Sequence, residues 1–232
     1  MIRGIEASRS GMAVEQLRTD VLADNIANVN TSGFKRSSAT SAEFDTMLLY
    51  RMGDPADAAP QPVGTLGNGS RVDQVVVDER QGDLRETGRS LDLALTGPGY
   101  FLAQRPDGSL YRTRNGAFRQ MADGTITTAE GYPVLMEDAA GNRVPLVVPG
   151  AEPAFGADGT VLAGGQPVGR LALDGADAAT RLRTRYLEAS NVDLAKEMTD
   201  LIVTLRAYQV NQRAMRVQDE TLAKAVSEIG KV

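Results

Sequence analysis

From Leu194 to Ile229 the chain carries an almost unbroken heptad. Leu194, Met198, Leu201, Leu205, Tyr208, Met215, Leu222, Val226 and Ile229 recur at alternating spacings of four and three, interrupted by Gln212 and Asp219. That spacing places an apolar seam of period 3.5 along one long helix, the pattern of a coiled coil. Such a helix would span roughly 55 Å at about 1.5 Å per residue. The opposite end of the chain is helical too. Across residues 3–29, Met12, Val14, Leu17, Val21, Leu22, Ile26 and Val29 spread over a broad apolar face, and Ala7, Ser8, Ser10, Gly11 and Ala13 permit close helix approach. Val14, Leu17 and Val21 are the residues expected to pack opposite the C-terminal seam. Two long amphipathic helices offer more apolar surface than a small β domain can cover, and uncovered apolar seams belong to assembling proteins.

Composition narrows the chemistry. The 232 residues contain no His and no Cys, which removes imidazole and thiolate metal sites, His general bases, Cys nucleophiles and disulfides. Formal charge is −5, and no basic patch with interleaved aromatics appears, so nucleic acid is not an expected partner. No apolar run approaches the roughly 20 residues that span a bilayer. Residues 1–11 carry Arg3, Glu6 and Arg9 and lack the apolar core of a signal peptide. Export, if it occurs, is expected to read an uncleaved chain.

The pattern divides the chain into an N-terminal helix with an Asn-rich end (1–34), an extended connector (35–70), a β-rich body (71–189) and the heptad helix (190–232). The first helix is expected to stop within Asn28–Gly33, where Asn and Gly tolerate the left-handed conformation and Ser and Thr favour turns. In the connector, Phe44 and Met47–Tyr50 suit a short helix or strand, and the Gly- and Pro-rich remainder to Gly69 reads as a loop. The body shows short strand signals from Val72–Val77 to Arg181–Leu187. They are separated by Asp107–Gly108, Asp123–Gly124, Gly141–Asn142 and Asp158–Gly159, which indicates antiparallel hairpins. Ser190, Asn191 or Asp193 is expected to cap the last helix. The fold class is mixed α and β: a central antiparallel β domain with long terminal helices forming a coiled-coil-like assembly layer.

Three blocks in order carry a family resemblance. The first runs from Arg3–Gly4–Ile5 through Asp20–Lys35 and includes Asn25, Asn28, Gly33 and Phe34. The second includes Gln81–Gly82–Asp83–Leu84, Leu91–Ala94, Gly97–Phe101, Pro106–Gly108, Tyr111–Gly116 and Gly131–Leu135. The third is Tyr186–Asp193, with Ser190 and Asn191, followed by Glu197–Met198, Arg206–Tyr208 and Asn211. The chain resembles the bacterial flagellar basal-body rod proteins, a family related to the hook protein. The short body and the Gly131–Leu135 run suit a proximal rod subunit, and the Gly-containing loop at 53–70 and the Ser190–Asn191–Val192 block suit a distal one equally well. Gln209 stands where a Glu is common in the family. The resemblance implies a structural subunit that self-assembles into a helical tube and transmits motor torque to the hook. Its partners would be copies of itself and other rod or hook subunits, with no cofactor and no small-molecule substrate. It further implies a place in the basal body, outside the cytoplasmic membrane, reached through the flagellar export channel.

Rival readings are specific. Gln212 and Asp219 on the seam suit register setting, because a polar residue in a heptad core rejects other alignments. The Asp-Gly sites suit hairpin turns better than calcium loops, since they are far apart and lack the spacing that brings several oxygens to one ion. A carboxylate-based glycoside hydrolase would draw on Asp92 and Glu188. However, alternation with Leu91 and Leu93 puts Asp92 on the polar face of a strand. A surface adhesion module using the exposed β face is the third alternative.

Overall fold

A computed structural model of the chain describes residues 2–44, 47–51, 61–138, 141–150, 153–177 and 179–229. The connector residues 52–60, expected to be loop, and the side chain of Ile229 lie outside that description. By contacts the chain forms two compact units, one of residues 1–27, 37–78 and 193–232, the other of residues 28–36 and 79–192.

The first unit is built on two helices, α1 (Ile2–Ala27) and α2 (Leu194–Ile229). The Asp193 carboxylate caps α2, accepting from the N–H groups of Ala195 and Lys196 at 3.0 and 3.3 Å. Ser190 and Asn191, the other candidate caps, are used elsewhere. Three pairs fix an antiparallel register between the helices. A Cβ at Gly4 would lie 2.6 Å from the Gln218 amide, one at Gly11 would lie 2.9 Å from the Asn211 amide, and Asn25 donates to Glu197 at 2.9 Å. Each heptad advanced along α1 matches one heptad retreated along α2.

An antiparallel ribbon joins the helices in this unit, pairing Ser37–Glu43 with Ser70–Val77, with a register shift between Thr40 and Ser41. A second hairpin pairs Met47–Arg51 with Gln61–Leu66. Two expectations are corrected here. Val72–Val77 belongs to this ribbon rather than to the β body, and Gln61–Leu66 is a strand rather than a loop. The reason is long-range pairing. Ser37–Glu43 is polar and carries no strand pattern of its own, so its partnership with the valine strand is invisible locally.

The second unit is antiparallel throughout its described strand pairs. A five-stranded sheet runs in the order Arg143–Pro145, Leu135–Glu137, Gln166–Leu171, Thr160–Ala163, Pro153–Phe155. A three-stranded sheet orders Leu173–Asp174, Tyr100–Gln104 and Leu110–Thr113. Leu93–Thr96 pairs with Arg181–Thr184, and Leu84–Glu86 with Tyr186–Glu188. The expected single run Arg181–Leu187 is broken at Arg185, whose φ of 66° turns the chain from one pair to the next. The core centres on Phe101 and Phe118, packed edge to face at 5.1 Å, with Leu93, Leu95, Ile126, Leu146, Val161 and Leu182 around them.

The Asp-Gly sites are hairpin turns. The carboxylates of Asp107, Asp123 and Asp158 each accept from the backbone N–H two residues on, at 2.8 to 3.1 Å. These bonds, with those to the hydroxyls of Ser109, Thr125 and Thr160, hold the three carboxyls below the usual aspartate value.

Candidate assembly surface

The predicted seam of α2 is split by the fold. Leu201, Tyr208, Met215 and Leu222, one column of the heptad, are half-buried and share a stripe with Glu197, Thr204, Asn211, Gln218 and Ala225. This stripe follows the register pairs and faces α1. The other column turns away. Met198, Leu205 and Val226 are 51, 43 and 70% exposed within the chain, as are Ile202 and Val203 at 52 and 60%, and Leu194, which heads the first column at the start of α2, is 43% exposed. Gln212 is half-buried and Asp219 exposed, and the polar residues that meet α1 are their neighbours Asn211 and Gln218. The cause lies on α1, where Gly4 and Gly11 leave room for amide side chains and Asn25 meets the Glu197 carboxylate. A Cβ at Gly4 or Gly11 would collide with the facing Gln218 or Asn211 amide.

Val14 and Val21 are buried, and Leu17 is half-buried. They continue the stripe of Ser10, whose hydroxyl accepts from the Ser70 N–H of the ribbon at 3.2 Å. At its far end this stripe reaches Asn25, which is fully buried. Asn25 accepts from the Ser37 N–H at 2.9 Å and donates to the Ser37 carbonyl at 2.7 Å as well as to Glu197. One amide therefore ties α1, α2 and the ribbon together. Glu197 is itself fully buried, a role that a first-turn position alone does not announce.

The remaining motif residues sit in the second unit. Asn28 accepts from the Thr31 hydroxyl at 3.1 Å, closing the turn after α1. Gly33, at φ 70°, donates its N–H to the Glu188 carbonyl at 2.7 Å, and a Cβ there would run into the Arg114 backbone. Phe34 is half-buried. Asn191 accepts from the Arg36 N–H at 2.7 Å and donates to the Arg80 carbonyl at 2.9 Å. The Ser190 hydroxyl accepts from the Val192 N–H at 3.3 Å.

The two carboxylates weighed for hydrolysis do not make a cleft. Glu188 has no side-chain exposure and is tied to the Lys35 ammonium, to the Gly82 N–H at 3.1 Å and to Arg114 at 3.5 Å. Held by two cations and a backbone N–H, this side chain is part of a structural clamp. Asp92, expected on the polar face of a strand, is instead buried at 1% exposure, with Arg89 at 3.6 Å. It precedes the strand Leu93–Thr96 and bridges to Ala117, so simple alternation does not apply to it. Their only signal in the sequence was their place inside the motif blocks, Leu91–Ala94 and Tyr186–Asp193, not their hydropathy. Among the described residues no helix is long and apolar enough to cross a membrane.

A helical pair that leaves half of an apolar seam uncovered, joined to a folded β body, is the build of an assembling subunit. Three family models match the chain in order: "Flagella basal body rod protein" over residues 5–35, "Flagellar hook protein FlgE/F/G D1 domain" over 94–163, and "Flagellar basal body rod FlgEFG protein C-terminal" over 183–228. The chain is 33% identical to the flagellar basal-body rod protein FlgG of Agrobacterium fabrum, covering 98% of this chain and 99% of the relative. It is 32% identical to the rod protein FlgF of Rhizobium meliloti, with 97 and 96% covered, and 30% identical to FlgG of Bacillus subtilis, with 98 and 99% covered. The chain belongs to the flagellar basal-body rod protein family.

Proposed function

We propose that this protein is a structural subunit of the flagellar rod that packs with copies of itself and with other rod or hook subunits into a helical tube carrying torque to the hook. The observation that carries the reading is the uncovered half of the α2 heptad. Met198, Leu205 and Val226 keep seam spacing yet stand 43 to 70% exposed in the single chain. Apolar residues held in register on a solvent-facing helix gain from burial against another helix, at about 25 cal/mol per Å². Stiffness under torque follows from such close packing of long helices. Leu201, Tyr208, Met215 and Leu222 support the surface from the α1 side, with Val14, Leu17 and Val21 steadying α1 itself. The β body would stand outside the helical layer. Nothing in this role calls for catalysis, a cofactor or a small-molecule substrate.

The test is Leu205→Asp in cells that lack the native chain. Because Leu205 is partly exposed, the monomer should fold with a loss of at most about 1 kcal/mol. In the assembly the same carboxylate would be buried without a partner, costing several kcal/mol by order of magnitude. The variant should be made and folded, yet build no rod and support no swimming. Normal motility would sink this reading.

A further inference from the structure

α1 and α2 each keep a second stripe on the side away from the other. On α2 it is Val203, Arg206, Val210, Arg213 and Val217, spaced alternately three and four and all exposed. The three valines are 60, 65 and 54% exposed. A helix face that only meets water has no reason to keep valines at heptad spacing. On α1 the outer stripe is Glu6, Ala13, Asp20 and Ala27, with Arg9 and Gln16 between them, all exposed. The charges oppose. Arg206, Arg213 and Lys224 outnumber Glu220 on α2, whereas Glu6, Asp20 and the adjacent Asp24 outnumber Arg9 on α1. The sizes also match, since alanines on one stripe leave room for valines on the other.

We infer that the outer stripe of α2 receives the outer stripe of α1 from a second copy of this chain. The inference rests on the assembly reading above and names a pair of faces for it, separate from the Met198–Leu205–Val226 flank. The two stripes are different surfaces on opposite sides of one helical pair. Their contact is therefore heterologous, and each bound pair of copies still presents one free stripe of each kind. Such a contact adds subunits without closing on itself. Its charges lie at the surface, so added salt weakens it over a Debye length of about 8 Å at physiological ionic strength.

The experiment is sedimentation velocity of the purified full-length chain over a concentration series at low salt. Three variants are compared with wild type: Glu6→Lys with Asp20→Lys, Arg206→Glu with Arg213→Glu, and all four changes together. Wild type should associate, either single-face reversal should raise the midpoint concentration by about tenfold or more, and the combined reversal should return it toward wild type. Should a reversal lower the helical circular dichroism, Asp20→Asn and Arg213→Gln carry the same comparison with a smaller shift. The inference is overturned by a wild-type chain that stays monomeric throughout, by single-face reversals within about twofold of wild type, or by a folded four-change variant that fails to recover. Motility separates the two readings. Loss with Leu205→Asp but full swimming in both single-face reversals overturns the face pairing alone. Full swimming in Leu205→Asp overturns the assembly reading on which the pairing rests.

Discussion

Glu188→Gln isolates one charge in the most buried ionic cluster of the β body. Glutamine keeps the volume of glutamate and can still accept from the Gly82 N–H, so packing is preserved. What is lost is the anion between Lys35 and Arg114, whose side chains are 6 and 5% exposed against 0% for Glu188. Lys35 retains the Arg80 carbonyl at 2.8 Å, and Arg114 retains the Gly97 carbonyl at 2.6 Å. Two neighbouring cations would then be buried with only dipoles for company. Removing one partner of a buried ion pair costs about 3–5 kcal/mol, because the remaining charge stays desolvated. For a unit of this size about 4 °C accompanies each kcal/mol, so the midpoint should fall by roughly 10–20 °C. The control is Asp174→Asn. Its partner Arg112 lies at the same kind of distance, 3.0 Å, but the pair is 64 and 41% exposed. An exposed pair contributes at most about 1 kcal/mol. Thermal unfolding of the full chain, followed by the β signal in far-ultraviolet circular dichroism, reads both. Added salt should erase the Asp174→Asn effect and leave that of Glu188→Gln. Equal, small losses for the two variants would refute the reasoning.

Other outcomes follow from single contacts. Asn25→Ala removes both Ser37 bonds and the donor to buried Glu197, and should cost about 2–4 kcal/mol in urea unfolding of the helical signal; Thr40→Val, which loses the exposed bond of the Thr40 hydroxyl to the Gln74 carbonyl, should cost no more than about 1 kcal/mol. Gly33→Ala meets both a left-handed backbone and the Arg114 main chain, whereas Gly108→Ala, at φ 84°, has open space around its Cβ. The second should cost about 1 kcal/mol and the first clearly more, measured as separate midpoints; equal shifts would contradict the close approach. The turn carboxyls of Asp107, Asp123 and Asp158 have folded pKa values below the ordinary aspartate value of 3.8, so the unfolded chain binds more protons as acid is added. Their contribution is present in full above pH 3.8 and is lost as pH falls through the folded values. A variant with all three changed to Asn should show a flatter acid limb below that pH, and superimposable limbs would discount these turns.

The sequence by itself determined the two terminal helices, the stop after α1 and the antiparallel β body, because each rests on local signals. Heptad spacing marks α2 from Leu194 onward, Asn and Gly end α1, and Asp-Gly pairs place the hairpin turns within a residue or two. The order of the motif blocks carried the family. Which face of α2 would be covered was not legible there. Leu201, Tyr208, Met215 and Leu222 lie on the covered side and Met198, Leu205 and Val226 on the open one, although all share one seam in the sequence. That choice depends on the far end of the chain, where Gly4 and Gly11 admit Gln218 and Asn211 and where Asn25 holds Glu197. Likewise only the tertiary structure puts Glu188 between Lys35 and Arg114, joins Ser37–Glu43 to Ser70–Val77 and buries Asp92. Periodicity reports how one segment is patterned against water. Rotation, pairing and the burial of charge depend on partners distant in the chain, and their energies appear only when those partners are brought together.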